Sequence, residues 1–252
     1  MSIRDVNEPL VSFFSKHERR SKVDRVLTEW IGSSQRVIDI GCGDGFYADF
    51  CRGLGNSVVG IDITQQVQSA HNLALDVCQG NVEGDLPFPD ATFSLALCIE
   101  VVEHLLQPEK MLAEIKRVLK PGGVLIITTP NYAYWALRLL YLFGCLPVGL
   151  PSNCFTGLRQ RDANYSVPPW RDPHIRFFTP EILRRCLQEC GFATQSLRAT
   201  FVAFPSGLAP HLPFWLGLPL RAIGKLIGNL EFLGDRAPTL LAAGLLVKAV
   251  KE

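Results

Sequence analysis

Residues 36–45 read RVIDIGCGDG, a short apolar run that passes directly into three glycines at alternate positions. An apolar run bounded by glycine is typical of a buried strand, and the glycines favour a sharp turn into a helix. Glycine suits this turn because its backbone can bend tightly and can approach a ligand more closely than a Cβ would allow. The stretch therefore predicts a strand, a ligand-binding turn and a helix in direct succession.

The same alternation of strand and helix continues along the chain. Apolar runs predict strands at 36–40, 57–61, 75–78, 93–99 and 124–128, and helices at 10–31, 46–54, 65–73 and 108–119. Thr179 and Pro180 predict the start of another helix, with Gly191 at its end. Two strands follow at about 194–202 and 240–250. Such alternation implies an α/β fold with parallel strands joined by right-handed crossovers.

Charge and composition limit the nucleic-acid partners and the cellular compartment that are expected for the chain. A formal net charge of +1, with short and scattered basic clusters, excludes a DNA footprint and disfavours RNA. Arg4, Asp5 and Glu8 interrupt the segment where a secretory signal would need an apolar run, so a cytoplasmic location is expected. The eight cysteines contain no C-x-x-C pair, which indicates reduced thiols.

An acidic residue ends the next predicted strand. Residues 58–62 read VVGID, and a carboxylate at Asp62 could accept hydrogen bonds from both hydroxyls of an adenosine ribose. The alternative is structural: the glycines form only a tight turn, and Asp62 caps a helix. Residues 43–48 also satisfy the dinucleotide pattern G-x-G-x-x-A, so an NAD-dependent oxidoreductase stays open at this point.

Several ordered segments resemble one family. DIGCGDG at 39–45 resembles motif I, D-x-G-x-G-x-G, of the class I S-adenosylmethionine-dependent methyltransferases. Four later segments of the chain resemble the later motifs of that family in the same order: GNVE at 80–83, LPFPD at 86–90, EVVEHL at 100–105 and LKPGG at 119–123. The likeness extends through 174–178 to about residue 192 and is nearest to the ubiquinone-biosynthesis O-methyltransferases. It implies a Rossmann-like fold, with a seven-stranded, mostly parallel sheet, helices on both faces and two apolar insertions.

The resemblance also implies how the chain binds S-adenosylmethionine. Asp39 would position the amino group, and Asp62 would hold the ribose. The methionine part would lie against Gly41, Cys42 and Gly43. The remaining contacts are implied for Ile63 on the adenine, for Asn81 and Val82 at the adenine edge, and for Cys98 near the sulfonium.

Two of these positions carry a reservation from the residues themselves. Asn81 stands where the family has aspartate, although its carbonyl can still accept from the adenine amino group. The alternative interpretation of Cys98 is a small buried residue with no chemical role.

Methyl transfer to a hydroxyl group requires a base or a metal ion. His104 and His174 are the predicted bases, and a purely structural role is the alternative for each. If the segment after the fourth strand is helical, Glu100, Glu103 and His104 share one face at i, i+3 and i+4. Together with His174 they would form a site for Mg²⁺, Mn²⁺ or Zn²⁺, which the resemblance to metal-dependent relatives supports. The alternative is that Glu103 and His104 pair with or cap neighbouring backbone.

The chain is expected to form one domain with distinct parts. These are the N-terminal helix at 1–34, the cofactor-binding core at 35–130, an apolar insertion and lid at 131–178, and a C-terminal part at 179–252 with a second apolar insertion at about 201–233. Both insertions follow strands at the edge where α/β sheets bind ligands. They predict a hydrophobic acceptor such as a quinol, polyketide or lipid, collected at a membrane surface.

Other uses of the same features stay open. The two insertions could pack on each other or form a homodimer interface. A binding or scaffold protein without turnover, or a methyltransferase acting on RNA ends, would also keep the fold.

Overall fold

The computed structural model describes residues 16–64, 70, 73–142, 174–202 and 235–252. The helices are α1 (Lys16–Trp30), α2 (Phe46–Gly53), α3 (Pro108–Val118), α4 (Trp135–Leu142), α5 (Pro180–Glu189) and the short α6 (Pro238–Leu241). The strands are β1 (Arg36–Ile40), β2 (Ser57–Asp62), β3 (Asp76–Gln79), β4 (Phe93–Ile99), β5 (Leu119–Pro130), β6 (Phe192–Val202) and β7 (Ala242–Lys251).

All seven strands belong to one sheet, in the order β3-β2-β1-β4-β5-β7-β6. β1 pairs in parallel with β2 and with β4, while β7 runs antiparallel to both β5 and β6. The expectation of a seven-stranded, mostly parallel sheet is confirmed. The strand order reverses between β1 and β4, and in open α/β sheets the ligand crevice forms outside the carboxyl ends of the strands at such a point.

Helices cover both faces of this sheet. On one face, α3 and α5 contribute a buried apolar cluster with the sheet, and on the other face α1 and α2 contribute a second one. The central strand β1 is accordingly buried at every position after Arg36. A parallel strand buried on both sides needs a continuous apolar run rather than an alternating one, which is why RVIDI predicts this position correctly.

The start of α5 follows the predicted capping pattern. The Thr179 hydroxyl accepts a hydrogen bond from the backbone N–H of Ile182, and Pro180 occupies the first helical position. Gly191 follows the helix with a φ of +77°, a conformation that favours glycine.

Several strand boundaries differ from the sequence prediction, and the structure gives a local cause for two of these differences. β5 begins at Leu119, because Leu119 pairs with Phe93 before a bulge interrupts the ladder, and pairing resumes at Val124. β7 begins at Ala242 rather than at 240, because Pro238 starts a helical turn that includes Leu240.

Parts of the predicted helices 10–31 and 65–73, and most of both apolar insertions, lie outside the described residues. Within the described part of the chain, no helix is both long enough and apolar enough to cross a bilayer.

Candidate functional site

The glycine turn after β1 is drawn tightly against the neighbouring strand. The backbone N–H groups of Gly41 and Cys42 both donate to the carbonyl of Ile61, at 2.7 and 3.1 Å. Gly41 has a φ of +70°, and a Cβ added there would lie 2.4 Å from Cγ2 of Val101. A side chain at Gly41 would therefore be both strained and obstructed, which explains the glycine.

The side chain of Cys42 packs beneath this turn and away from the open edge. A Cβ added to Gly60 would lie 2.7 Å from the Cys42 sulfur, so the thiol occupies the space that glycine leaves in β2. Burial, followed by the charge of Asp39, raises the pKa of Cys42 to about 12. Cys42 can therefore line a ligand only through its backbone.

Asp62 at the end of β2 connects two loops. One carboxylate oxygen accepts from the N–H of Gly43 at 2.8 Å, and the other accepts from both the N–H and the hydroxyl of Thr64 at 2.7 Å. Asp62 thus has a structural role, because its carboxylate holds the backbone of both loops. A carboxylate offers about four acceptor positions, so the three observed donors leave capacity for a ligand hydroxyl.

Asp39 is a buried carboxylate near the end of β1, just before the glycine turn. Its Oδ2 has no hydrogen-bond partner among the residues that the structure describes. Burial is the main cause, and the charge of Asp62 the next, of a pKa raised to about 7. Two neighbouring carboxylates without a cation are unfavourable, and a ligand ammonium would relieve both effects. The turn therefore fits the amino group of S-adenosylmethionine.

The three residues expected to contact the adenine differ in their surroundings. Ile63 is 63% exposed just beyond β2, where it can cover a ring. The Asn81 side-chain oxygen accepts from the N–H of Glu83 at 2.9 Å, so it already closes a local turn. Val82 is buried in the apolar cluster, and its expected contact with the adenine edge stays a prediction.

Cys98 also lies in the core rather than beside a sulfonium. The residue is fully buried in β4, and its sulfur contacts the sulfur of Met111 on α3 at 3.8 Å. Burial, with the charges of Glu103 and Asp39, raises the pKa of Cys98 far above its ordinary value. The predicted cofactor contact is replaced by the alternative, a small buried thiol.

The segment after β4 does not form the α-helix on which the shared face of Glu100, Glu103 and His104 depends. Glu100 has a φ of +57°, and a single 3-10 turn, Val102–His104, follows it. Glu100 stays bound to β5 instead, because its N–H donates to the Thr128 hydroxyl at 3.0 Å and its carboxylate accepts from that hydroxyl at 2.9 Å. The predicted shared face of Glu100, Glu103 and His104 is therefore wrong.

Three of the four predicted ligands nevertheless converge. Glu103, His104 and His174 present ligand atoms that all lie within 4.8 Å of one another, and Glu100 is not in this group. Glu103 is fully buried, and its Oε1 lies 3.9 Å from Nε2 of His104. The two imidazole rings meet edge to face, with centroids 4.8 Å apart. We refer to these three residues as the Glu103 cluster.

Backbone hydrogen bonds bring His174 to this position. The Glu103 carbonyl accepts from the N–H groups of Ile175 and Arg176, at 2.9 and 3.0 Å. The Arg176 guanidinium donates to the carbonyls of Leu105 and Leu106. The last residues of the first insertion are thus attached to the turn that follows β4.

Sequence reasoning missed Tyr132. Its hydroxyl lies 2.7 Å from Nδ1 of His174, and its N–H donates to the carbonyl of Phe178 at 2.9 Å. The sequence signal for Tyr132 is its position just after β5. Strands β4 and β5 are neighbours, so residues that follow their carboxyl ends meet at one edge of the sheet.

The glycine turn and the Glu103 cluster occupy the same edge of the sheet. Val101 connects them, because it packs against Gly41 and directly precedes the turn that holds Glu103. The antiparallel β7 distinguishes this sheet from the dinucleotide-binding order 3-2-1-4-5-6, which disfavours an NAD-dependent oxidoreductase. Sheet topology, glycine turn and acidic strand end together define the class I methyltransferase fold.

The chain belongs to the methyltransferase domain family, which matches residues 13–197, almost three quarters of the chain. It is 31% identical over 153 residues to the ubiquinone biosynthesis O-methyltransferase of Maricaulis maris, covering 53% of this chain and 60% of that protein. It is 36% identical over 99 residues to a protein of Mycolicibacterium smegmatis named as a probable S-adenosylmethionine-dependent methyltransferase, covering 38% of each. The chain thus spans less than two thirds of either relative.

The fold has close counterparts among solved structures. A SAM-dependent methyltransferase from Archaeoglobus fulgidus superposes with a TM-score of 0.58 at 20% identity, covering 92% of this chain and 94% of that chain. At this identity the likeness concerns the fold alone.

Proposed function

We propose that this chain transfers a methyl group from S-adenosylmethionine to a hydroxyl group of a hydrophobic small molecule. The observation that carries the proposal is the buried Asp39 carboxylate, whose free oxygen lies beside Asp62 and the glycine turn on the same sheet edge as the Glu103 cluster. When bound, the cofactor supplies a methyl group activated by its sulfonium.

The residues around the glycine turn bind and orient the cofactor. Asp39 accepts from the cofactor's amino group, and Asp62 accepts from the ribose through its remaining capacity. Ile63 covers the adenine. Alignment and the exclusion of water account for most of the rate in such a displacement, so these residues act by positioning.

The Glu103 cluster activates the acceptor hydroxyl. His104 and His174 are placed to remove its proton. Two imidazoles and a carboxylate within reach of one point also suit Mg²⁺, Mn²⁺ or Zn²⁺, with the imidazoles favouring Zn²⁺ and the carboxylate favouring Mg²⁺ or Mn²⁺. A cation there would supply Lewis acidity and lower the pKa of the acceptor hydroxyl.

Apolar side chains around the cluster support a hydrophobic acceptor. Leu106 is 66% exposed, and Phe177 is exposed against the ring of Tyr132. The relative from Maricaulis maris is named for ubiquinone biosynthesis, which places quinols among the first acceptors to test. Such acceptors partition into lipid, so the protein would collect them at a membrane surface.

The test is transfer of labelled methyl groups from S-adenosylmethionine to catechols with and without an alkyl chain, with an RNA oligonucleotide as a third acceptor. We expect turnover of the catechols, with kcat/KM rising as the chain lengthens. His104→Ala and Glu103→Gln should abolish turnover while cofactor binding persists. Efficient methylation of the RNA, or of the catechol without any gain from the alkyl chain, would contradict the acceptor class. Cofactor binding without turnover of any acceptor would favour the scaffold alternative.

A further inference from the structure

We propose that Tyr132 is the positioning residue of His174: its hydroxyl engages Nδ1 of the ring, which leaves Nε2 as the nitrogen that can act as base or metal ligand in the Glu103 cluster. The proposal rests on the proposed function of the Glu103 cluster and names the atom that acts there. Tyr132 lies outside every sequence motif considered above.

The backbone around Tyr132 is rigidly attached to the sheet. The preceding residue, Asn131, is fully buried, and its amide donates to the carbonyls of Pro238 and Ala242 at 2.9 and 2.7 Å. The Asn131 side-chain oxygen accepts from the N–H of Ala133 at 3.0 Å. Since a buried and fully bonded side chain has one allowed orientation, the backbone at 131–133 is a fixed platform for the Tyr132 ring.

The Tyr132 hydroxyl then selects between the two nitrogens of His174. It lies 2.7 Å from Nδ1, so that nitrogen is engaged. A neutral imidazole carries one N–H and one lone pair. If Nδ1 donates to the tyrosine oxygen, Nε2 carries the lone pair that a base or a metal ligand requires. If the Tyr132 hydroxyl instead donated to Nδ1, Nε2 would carry the proton. It could then act neither as a base nor as a metal ligand.

Tyr132 holds the imidazole ring of His174 but does not hold the backbone segment that carries His174. The backbone after His174 is attached separately, by the N–H groups of Ile175 and Arg176 on the Glu103 carbonyl. Removing one hydroxyl should therefore leave the segment in place while the ring loses its preferred orientation. This separation makes Tyr132→Phe an informative variant.

A matched control lies two residues away. Tyr134 is also buried, and its hydroxyl makes no hydrogen bond to His174. Tyr134→Phe removes the same atom from the same short segment. Any effect of Tyr132→Phe that Tyr134→Phe shares is structural and does not count for the proposal.

The first measurement is the tautomer of His174, read from imidazole ¹⁵N shifts of the cation-free protein at pH 8, with His174→Gln to assign the signals. We expect one tautomer, protonated at Nδ1, in the parent and in Tyr134→Phe, and a mixture in Tyr132→Phe. A parent ring protonated at Nε2, or an unchanged tautomer in Tyr132→Phe, overturns the proposal.

The second measurement is the affinity for Co²⁺, followed by its visible absorption. Loss of such an outer hydrogen bond typically weakens metal binding about 10–100-fold, so Tyr132→Phe should do the same while Tyr134→Phe does not. Equal Co²⁺ affinity in Tyr132→Phe and parent overturns the proposal. If the parent binds no Co²⁺, the cation in the proposed function fails, and the tautomer measurement alone decides the role of Tyr132.

Discussion

The glycine turn and the Glu103 cluster lie on one sheet edge but are built differently. In the turn, Gly43 and Asp62 are bonded across a separation of 19 residues, through a backbone that three glycines shape. In the cluster, Arg176 is bonded to Leu105 across 71 residues. The first region is organised by local backbone conformation, and the second by contacts between distant parts of the chain.

The electrostatics differ in the same way. Beside the turn, burial and then the neighbouring charge of Asp62 raise the pKa of Asp39 to about 7. The cluster places imidazoles beside its buried carboxylate, at Glu103, and so contains its own partners. The first region therefore has two neighbouring acids, whereas the second pairs an acid with two imidazoles.

The largest effect is expected from Asp39. Because its folded pKa lies above the unfolded value of 3.8, the native state keeps a proton that the unfolded state has lost between pH 4 and 7. The parent should therefore lose stability as pH rises through this window, by on the order of 4 kcal/mol relative to Asp39→Asn. Denaturant unfolding of both proteins from pH 4 to 8 measures the difference.

The cofactor provides the second arm of this test. If the cofactor's ammonium binds the deprotonated Asp39 carboxylate, as proposed, parent affinity should fall up to about tenfold per pH unit below pH 7, and Asp39→Asn should lose this dependence. A pH-independent stability difference between the two proteins would show that Asp39 is not the buried acid described.

Gly41 tests whether backbone conformation dominates the turn. Gly41→Ala combines a positive φ with a Cβ 2.4 Å from Val101, which should lower the free energy of unfolding by about 2–4 kcal/mol. Gly32→Ala is the control, because a Cβ there meets nothing within 4 Å. Chemical denaturation of both variants checks this. If Gly41→Ala unfolds like Gly32→Ala, the turn is more adaptable than its geometry indicates.

Asp62 tests recognition more than folding. Asp62→Asn keeps one acceptor oxygen but loses the charge, and hydrogen bonds to charged groups contribute about 1.5–3 kcal/mol. Cofactor affinity by calorimetry should therefore fall about 10–100-fold. The control is Asp76→Asn, an exposed carboxylate at the opposite end of the neighbouring β3. Similar affinity in both variants would remove Asp62 from the ribose site.

The smallest effect is expected in the second region. Arg176→Ala removes the guanidinium bonds to Leu105 and Leu106, which should lower stability by only about 1 kcal/mol. The loss of turnover should be larger than the small loss of stability accounts for. Cofactor affinity should stay unchanged, because the Glu103 cluster and the glycine turn are held by separate contacts. The control is Arg185→Ala, whose exposed ion pair with Glu189 contributes little. Reduced cofactor affinity in Arg176→Ala would contradict this independence.

The difference between the regions also explains what the sequence could predict. Strand β1, the glycine turn and Asp62 follow from local rules, and the structure confirms their arrangement. Side-chain direction is harder, since Cys98 and Val82 turn into the core and only packing decides that. The expected helix after β4 failed because the bonds from Glu100 to Thr128 hold the backbone at positive φ. A tertiary contact of this kind leaves no pattern in the neighbouring residues.

One further consequence comes from the way the first insertion is anchored. Asn131 bridges to Phe178, and Tyr132 bonds to both Phe178 and His174, so the chain departs and returns at nearly the same place. The segment between them can be exchanged for one of another length or composition at little entropic cost, because its ends are already joined. If this insertion forms part of the acceptor pocket, as the sequence predicts, grafting the corresponding segment from a relative should change acceptor preference and leave the glycine turn intact. Evolution could diversify such a family by the same route.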